Sequence, residues 1–313
     1  MTAKRLLFIT GKGGTGKSSI AAGLGLAAAN AGLRVLLIDV EQRHSFAPAF
    51  GLTSIPSTPT SVLTHQGSLK VLALDPTESL LSYLDKFYGL RMAGGLLNSM
   101  GAVDFATDIA PGLKDILLVG FACDAARSKK DNEFVYDLVI VDSPPTGRIE
   151  KFLTVADSIS SMAPIGPINQ QAQLVRSEMT AATTEVMVIV NPEELSITEA
   201  ITAKDALTAA GIAVGPIVVN HYPTETPQEI TDADLETSFT ELSDALHDST
   251  LASEVVRTAQ QTIQKHRAGI ALVAELEKSH ATVHVPGFES TLDARVEHHL
   301  ANSLSQVLES VRS

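Results

Sequence analysis

Six short runs along the chain are apolar at nearly every position: RLLFIT at 5–10, RVLLID at 34–39, KVLALD at 70–75, DLVIVD at 137–142, EVMVIV at 185–190 and GPIVVN at 215–220. A strand exposed on one face alternates apolar and polar residues, whereas a strand covered on both faces is apolar throughout, so these runs read as buried strands. Helical stretches, 17–31 and 194–210 among them, lie between several of the runs. Strands alternating with helices predict an α/β fold, a mostly parallel sheet with helices on both faces. Asp39, Asp75 and Asp142 close three of the runs and Asn220 a fourth. Ligands of open parallel sheets bind beyond the carboxyl ends of the strands, so these polar ends are where chemistry is to be sought.

The pattern breaks between residues 76 and 131. There SLLSYLDKFYGL and GLKDILLVGFACDAA are separated by Gly94-Gly95 and Pro111-Gly112, which predicts a helical insertion at about 76–131. Its apolar residues Leu80, Leu84, Phe87, Leu96, Leu97, Met100 and Phe105 fit packing, or a groove for an apolar client in which only Met92 and Met100 are adaptable. Residues 221–249, rich in Pro, Thr, Asp and Glu, read as a solvated connector with at most one helix. ARVEHHLANSLSQVLESV at 294–311 sets Val296, Leu300, Leu304, Val307 and Val311 at helical spacing and predicts a packing helix. HATVHV at 280–285 reads as a strand carrying His280 and His284 on one face, and these, like His298 and His299, are expected at a solvated surface rather than on a metal. No internal repeat is present, and residues 1–313 are expected to form one domain that includes the insertion.

Composition narrows the options. A net charge of −13 argues against sequence-independent binding to nucleic acid or to an anionic membrane. The one cysteine, Cys123, excludes an intrachain disulfide or a multi-cysteine zinc site and is expected to be buried packing in a reducing compartment. Only LLFIT separates Lys4-Arg5 from Gly11-Lys12, too short for a signal peptide, and no apolar run approaches the ~18–20 residues of a membrane span. The expected location is the cytoplasm.

The most specific feature is Gly11-Lys12-Gly13-Gly14-Thr15-Gly16-Lys17-Ser18-Ser19, which fits G-x-x-x-x-G-K-[ST] between an apolar strand and a helix. Such a loop turns backbone N–H groups and a helix N-terminus toward phosphate oxygens. Lys17 is expected on the β and γ phosphates and Ser18 on Mg²⁺. Asp142, at the end of a neighbouring strand, is a second candidate for the metal. The turn at 143–148 is suited to presenting the Gly147 N–H to a γ-phosphate and to moving when that phosphate leaves. The fold is therefore expected to be that of a P-loop NTPase.

Lys12 is one lysine more than the loop needs. GKGGTGKSS resembles the deviant Walker A loop shared by the Min and Par ATPases, the nitrogenase iron protein, and the arsenical-pump and tail-anchored-protein-targeting ATPases. The resemblance implies that Lys12 crosses a dimer interface to the partner's phosphates, as an arginine finger would. DSPPTGRIEKFL at 142–153 is similar to the arsenical-pump and targeting branch's D-T-A-P-T-G-H-T-L-R-F-L; APGLKDILLVGFACDA at 110–125 resembles its P-G-x-x-E helix; NPEELSITEA and IVVNHY resemble its P-E-x-x-S-x-x-E and V-N-Q elements. On this resemblance Asn220 reads adenine, its amide accepting from the N6 amine and donating to N7.

The first switch departs from the branch. Where that has D-P-A-H-N-L-S-D-A-F-G, this chain has EQRHSFAPAFG at 41–51, which puts Glu41 at the residue that positions the attacking water, with Asp39 as the second choice. V-E-Q-R, LSYLDKFYGL and GAVDFATDIAPGLKD are similar to the actinobacterial anion-transporting-ATPase-like subgroup. A single cysteine matches neither the zinc-bridged C-x-x-C of the targeting ATPases nor the metalloid site of the arsenical pump. One ATPase unit, where the pump joins two, implies a homodimer or a heterodimer with a paralogous ATPase. Two functions are compatible with these readings: an ATP- and Mg²⁺-dependent ATPase serving a membrane protein, an anion or a hydrophobic client, or a nucleotide-sensing module with little turnover.

Overall fold

The computed structural model describes residues 3–75, 112–162, 165, 167–223, 232–287 and 304–312. Its strands are β1 (Leu6–Gly11), β2 (Arg34–Asp39), β3 (Thr60–Val62), β4 (Ser68–Ala73), β5 (Lys129–Lys130), β6 (Glu133–Phe134), β7 (Leu138–Asp142), β8 (Thr184–Val190), β9 (Ile217–Tyr222) and β10 (Thr282–Pro286). Its α-helices are α1 (Lys17–Asn30), α2 (Leu113–Arg127), α3 (Thr146–Leu153), α4 (Val155–Met162), α5 (Pro167–Met179), α6 (Glu194–Ala209), α7 (Asp232–Leu246), α8 (Ser249–Leu276) and α9 (Ser305–Arg312). Eight strands form one sheet in the order β10-β9-β8-β1-β7-β2-β4-β3, all parallel except the edge strand β3. β5 and β6 form a separate hairpin.

Apolar residues at every position place two cores on the two faces of this sheet, as the period of two in a strand requires. Leu6 and Phe8, Leu36 and Ile38, and Val139 and Val141 point into one core, shared with α2, α3, α4, α5, α6 and α8. Their neighbours Leu7 and Ile9, Val35 and Leu37, and Leu138 and Ile140 point into the other, shared with α1 and α9. The expected α/β architecture is the one observed.

All six expected strands are present, with shifted ends. KVLALD becomes β4 two residues earlier, because its register on β2 runs from Arg34 against Ser68 to Asp39 against Ala73. GPIVVN becomes β9, moved two residues later by its pairing with β8 and β10. The edge strand β3 carries no apolar signal of its own.

Of the stretch read as an insertion, residues 76–111 lie outside the described residues, and with them Leu80, Leu84, Phe87, Met92, Leu96, Leu97, Met100 and Phe105. Its remainder holds α2 and the short strand β5, and Ile116, Leu118, Val119 and Cys123 of α2 are buried in the core. Cys123 is a free thiol whose pKa burial drives far above the ordinary value. Within 221–249 the described residues hold one helix, α7. Leu304, Val307 and Val311 are buried on α1's side of the sheet, while Val296, His298, His299 and Leu300 lie outside the described residues. His284 corrects an expectation. It is one-third exposed yet partly packed, its ring stacked on Tyr222 at 3.9 Å and its Nε2 2.9 Å from Glu277 Oε1, because β10 lies beside β9.

Candidate functional site

β1 ends at Gly11 and α1 begins at Lys17, so the intervening loop crosses the carboxyl edge of the sheet at its centre. The Thr15 N–H and Oγ1 both donate to the Lys12 carbonyl, at 3.2 and 2.8 Å, closing the loop on itself. Gly16 adopts φ 81°, and a Cβ there would stand 2.4 Å from Asn220 Nδ2, so only glycine fits. Gly13 and Gly14 face open space. Lys17 is buried, while Ser18 and Ser19 are partly exposed in the first turn of α1.

Asn220 donates from Nδ2 to the Thr15 carbonyl at 2.9 Å. Its buried amide thus braces the phosphate loop with one of its two N–H groups, which leaves the other N–H and Oδ1.

Asp142 ends β7, in register with Ile9 of β1 and Asp39 of β2. Its carboxyl is pushed up to about 6 by burial, opposed by a hydrogen bond with Ser18 and the charge of Lys17, while Asp39 and Glu41 add to the rise. Asp142 Oδ1 is buried without a hydrogen-bond partner. An orphaned carboxylate oxygen beside a serine hydroxyl and a lysine suits a hard divalent cation that arrives with a phosphate chain. Among the described residues no cluster of three or more His, Cys, Asp or Glu could hold a metal unaided. Ser18 and Asp142 therefore fit Mg²⁺ as a nucleotide-borne ion.

Burial of the same carboxylate costs stability when it is charged. A raised folded-state pKa means that stability present below the unfolded value of 3.8 is lost as pH rises through about 6. Asp142→Asn should therefore melt a few degrees above the parent at about pH 7.5 without nucleotide or metal, a gain of up to about 3 kcal/mol. The gap should close toward about pH 4.5. Paired thermal melts check this, and a gap independent of pH would count against a buried charge here.

Asp39 and Glu41 have different surroundings. Both oxygens of Asp39 accept backbone N–H groups, from Glu41 at 3.0 Å and His44 at 2.8 Å, so Asp39 shapes the loop after β2. Gln42 and His44 take positive φ values of 53° and 52° in that turn. The Glu41 carboxylate, 12% exposed, lies 2.9 Å from Arg43 Nη2 and 3.3 Å from Arg148 Nη1. Gly147 lies in the first turn of α3 with nothing within 4 Å of where a Cβ would stand, so a ligand could approach its backbone closely. Lys12 lies at the loop rim, about one-third exposed, with Nζ 3.7 Å from Glu199 Oε1 of α6.

Arg148, Thr146 and Glu199 are absent from the residues picked out of the sequence. Arg148 stands where the resembled switch has His, and Glu199 is the last glutamate of P-E-x-x-S-x-x-E. Both were visible as letters, but their partners lie on distant segments.

Residues 4–182 match the anion-transporting ATPase family, a span holding the phosphate loop, Asp39, Glu41, Asp142 and Gly147. The chain belongs to that family. ATPase BagA of Mycobacterium tuberculosis is 39% identical over 223 residues, covering 70% of this chain and 66% of that protein. This chain thus spans just under two-thirds of that relative's length. A chain of Aquifex aeolicus named for an arsenical pump-driving ATPase is 22% identical over 254 residues, covering 72% of this chain and 82% of its own. A similarly named chain of Chlorobaculum tepidum is 25% identical over 158 residues, 50% of this chain and 36% of its own. Among the described residues no helix is long and apolar enough to cross a membrane.

Proposed function

We propose that this chain is a Mg²⁺-dependent ATP hydrolase that works as a two-chain nucleotide switch for a membrane partner, an anion or an apolar cargo. The observation that carries the reading is the convergence of Lys17, Ser18 and the orphaned Asp142 Oδ1 at the end of β1 and β7, with the open backbone of Gly147 in the turn that follows. Backbone N–H groups of the loop and Lys17 bind and orient the phosphates. Ser18 and Asp142 would hold the metal, which would offset phosphate charge. Glu41 accepts a hydrogen bond from the attacking water once its ion pairs open, and Asp39 keeps the Glu41 backbone in place.

Lys12 supports the two-chain form. It is not directed into its own loop, and its partner within the chain is a loose contact at the rim. A cation supplied by a second chain would offset charge that develops in transfer. The experiment is Mg-ATP turnover per chain across a wide range of protein concentration. Specific activity should climb and saturate if the chain completes its own site by self-association. Turnover that is independent of concentration would refute the two-chain mechanism; ATP binding with no turnover at any concentration would assign the second half to a paralogue.

The second reading, a nucleotide sensor with little turnover, is favoured by the two guanidinium groups on Glu41. Tight ATP binding, altered partner affinity and no stimulation by a client would support it.

A further inference from the structure

The two charged groups that hydrolysis needs, Glu41 and Lys12, are both engaged within one chain, and both engagements meet at the first turn of α3. Arg148 presents Nη1 to Glu41 Oε1 at 3.3 Å and Nη2 to Asp115 Oδ1 of α2 at 3.7 Å. Two residues earlier, Thr146 donates to Glu199 Oε2 at 3.1 Å, and Oε1 of that carboxylate faces Lys12. Between them sits Gly147, with open space over its backbone.

We propose that this turn is a double latch: Arg148, and Thr146 acting through Glu199, are positioning residues that keep Glu41 and Lys12 out of the reaction until the turn moves. The inference rests on the roles of Glu41 and Lys12 given above. A guanidinium on a carboxylate competes with water for the same oxygens, so Glu41 Oε1 is a poor acceptor while Arg148 holds it; Oε2 stays on Arg43 at 2.9 Å, and the latch concerns Oε1. Lys12, paired with Glu199 on α6 of its own chain, must leave that contact before it can serve a second chain's phosphates. Because Thr146 and Arg148 flank Gly147, one displacement of the turn by a phosphate at that backbone opens both contacts. Asp115 extends the latch to α2, so a force on the start of that helix also reaches Arg148.

Arg148 is exposed and Lys12 and Glu199 are each about one-third exposed, so the ion pairs they make are individually weak, which suits parts that must open on binding. The first test uses the full chain without nucleotide. Acylation of Lys12 by an amine-reactive reagent, read by mass spectrometry against Lys151 as reference, should rise about two- to fivefold in Glu199→Gln. Thr146→Val should give a smaller rise. Unchanged Lys12 labelling overturns that half of the latch whether or not the chain hydrolyses ATP. A rise in labelling in a chain that fails to bind ATP leaves the contact standing and removes the ATPase reading instead.

The second test is single-turnover hydrolysis with the chain in excess of Mg-ATP. Arg148→Ala should raise the rate about two- to fivefold at unchanged ATP affinity, whereas Arg148→Lys should stay near the parent. Arg148→Ala should add nothing in a Glu41→Gln background, a dependence that a merely structural arginine would not show. No gain, or a lower rate at unchanged affinity and melting temperature, overturns the role of Arg148. Arg148→Gln repeats the measurement should the alanine variant fold poorly.

Discussion

Lys17→Ala should abolish measurable ATP binding, while Lys12→Ala should bind ATP near the parent's affinity and turn it over about 10³-fold more slowly. The two lysines share one loop, yet the fold gives them different environments. Lys17 is buried at the head of α1, and its charge is felt by Asp142. Removing it leaves the phosphate chain without its central cation and Asp142 without a compensating charge. Lys12 is at the rim, about one-third exposed, on a contact of 3.7 Å with Glu199. Its loss removes only a loose contact at the rim, so its effect should be confined to a state in which a second chain is close. Calorimetric titration with ATP, paired with turnover at saturating nucleotide, separates the two. Equal loss of binding in both variants would falsify the division of labour.

Glu41→Gln should keep ATP binding and lower turnover by about 10²–10⁴-fold, the range of a lost proton acceptor. The amide retains the shape of the side chain and loses the charge that draws Arg43 and Arg148, so the nucleotide pocket should remain while the water loses its acceptor. Asp39→Asn should behave differently. An amide can keep at most one of the two backbone N–H bonds that Asp39 accepts, so the loop should loosen and the melting temperature fall, by an amount in keeping with a buried hydrogen bond at about 1–3 kcal/mol. Turnover that survives Glu41→Gln but is lost in a stably folded Asp39→Asn would reverse the assignment. Nucleotide binding, melting temperature and turnover measured on the same preparations decide between them.

The strands were legible because each apolar run demands burial on both faces, and only a sheet between two helical layers supplies it. The loop at 11–19 was legible as a strand-to-helix turn because its glycines set local backbone geometry. Strand ends were less so. β4 and β9 each moved by two residues, since pairing with a neighbour, not hydropathy, sets where a ladder stops. His284 went unrecognised as a partly packed residue because Tyr222 is brought to it by β9 and β10 pairing side by side.

Chemistry carried by contiguous residues, the loop at 11–19, the carboxylates that close β2 and β7, and the glycine of the 143–148 turn, could be read from the order of amino acids. Which charges meet could not. Glu41 and Arg148 are 107 residues apart and Asn220 and the Thr15 carbonyl 205 apart, and each side chain has several possible partners until the sheet order brings one within reach. The roles of Asn220 as a brace, Asp39 as a loop organiser and Arg148 as a counter-ion come from those distances, because hydrogen bonds and ion pairs act over a few ångströms of space and not along the chain.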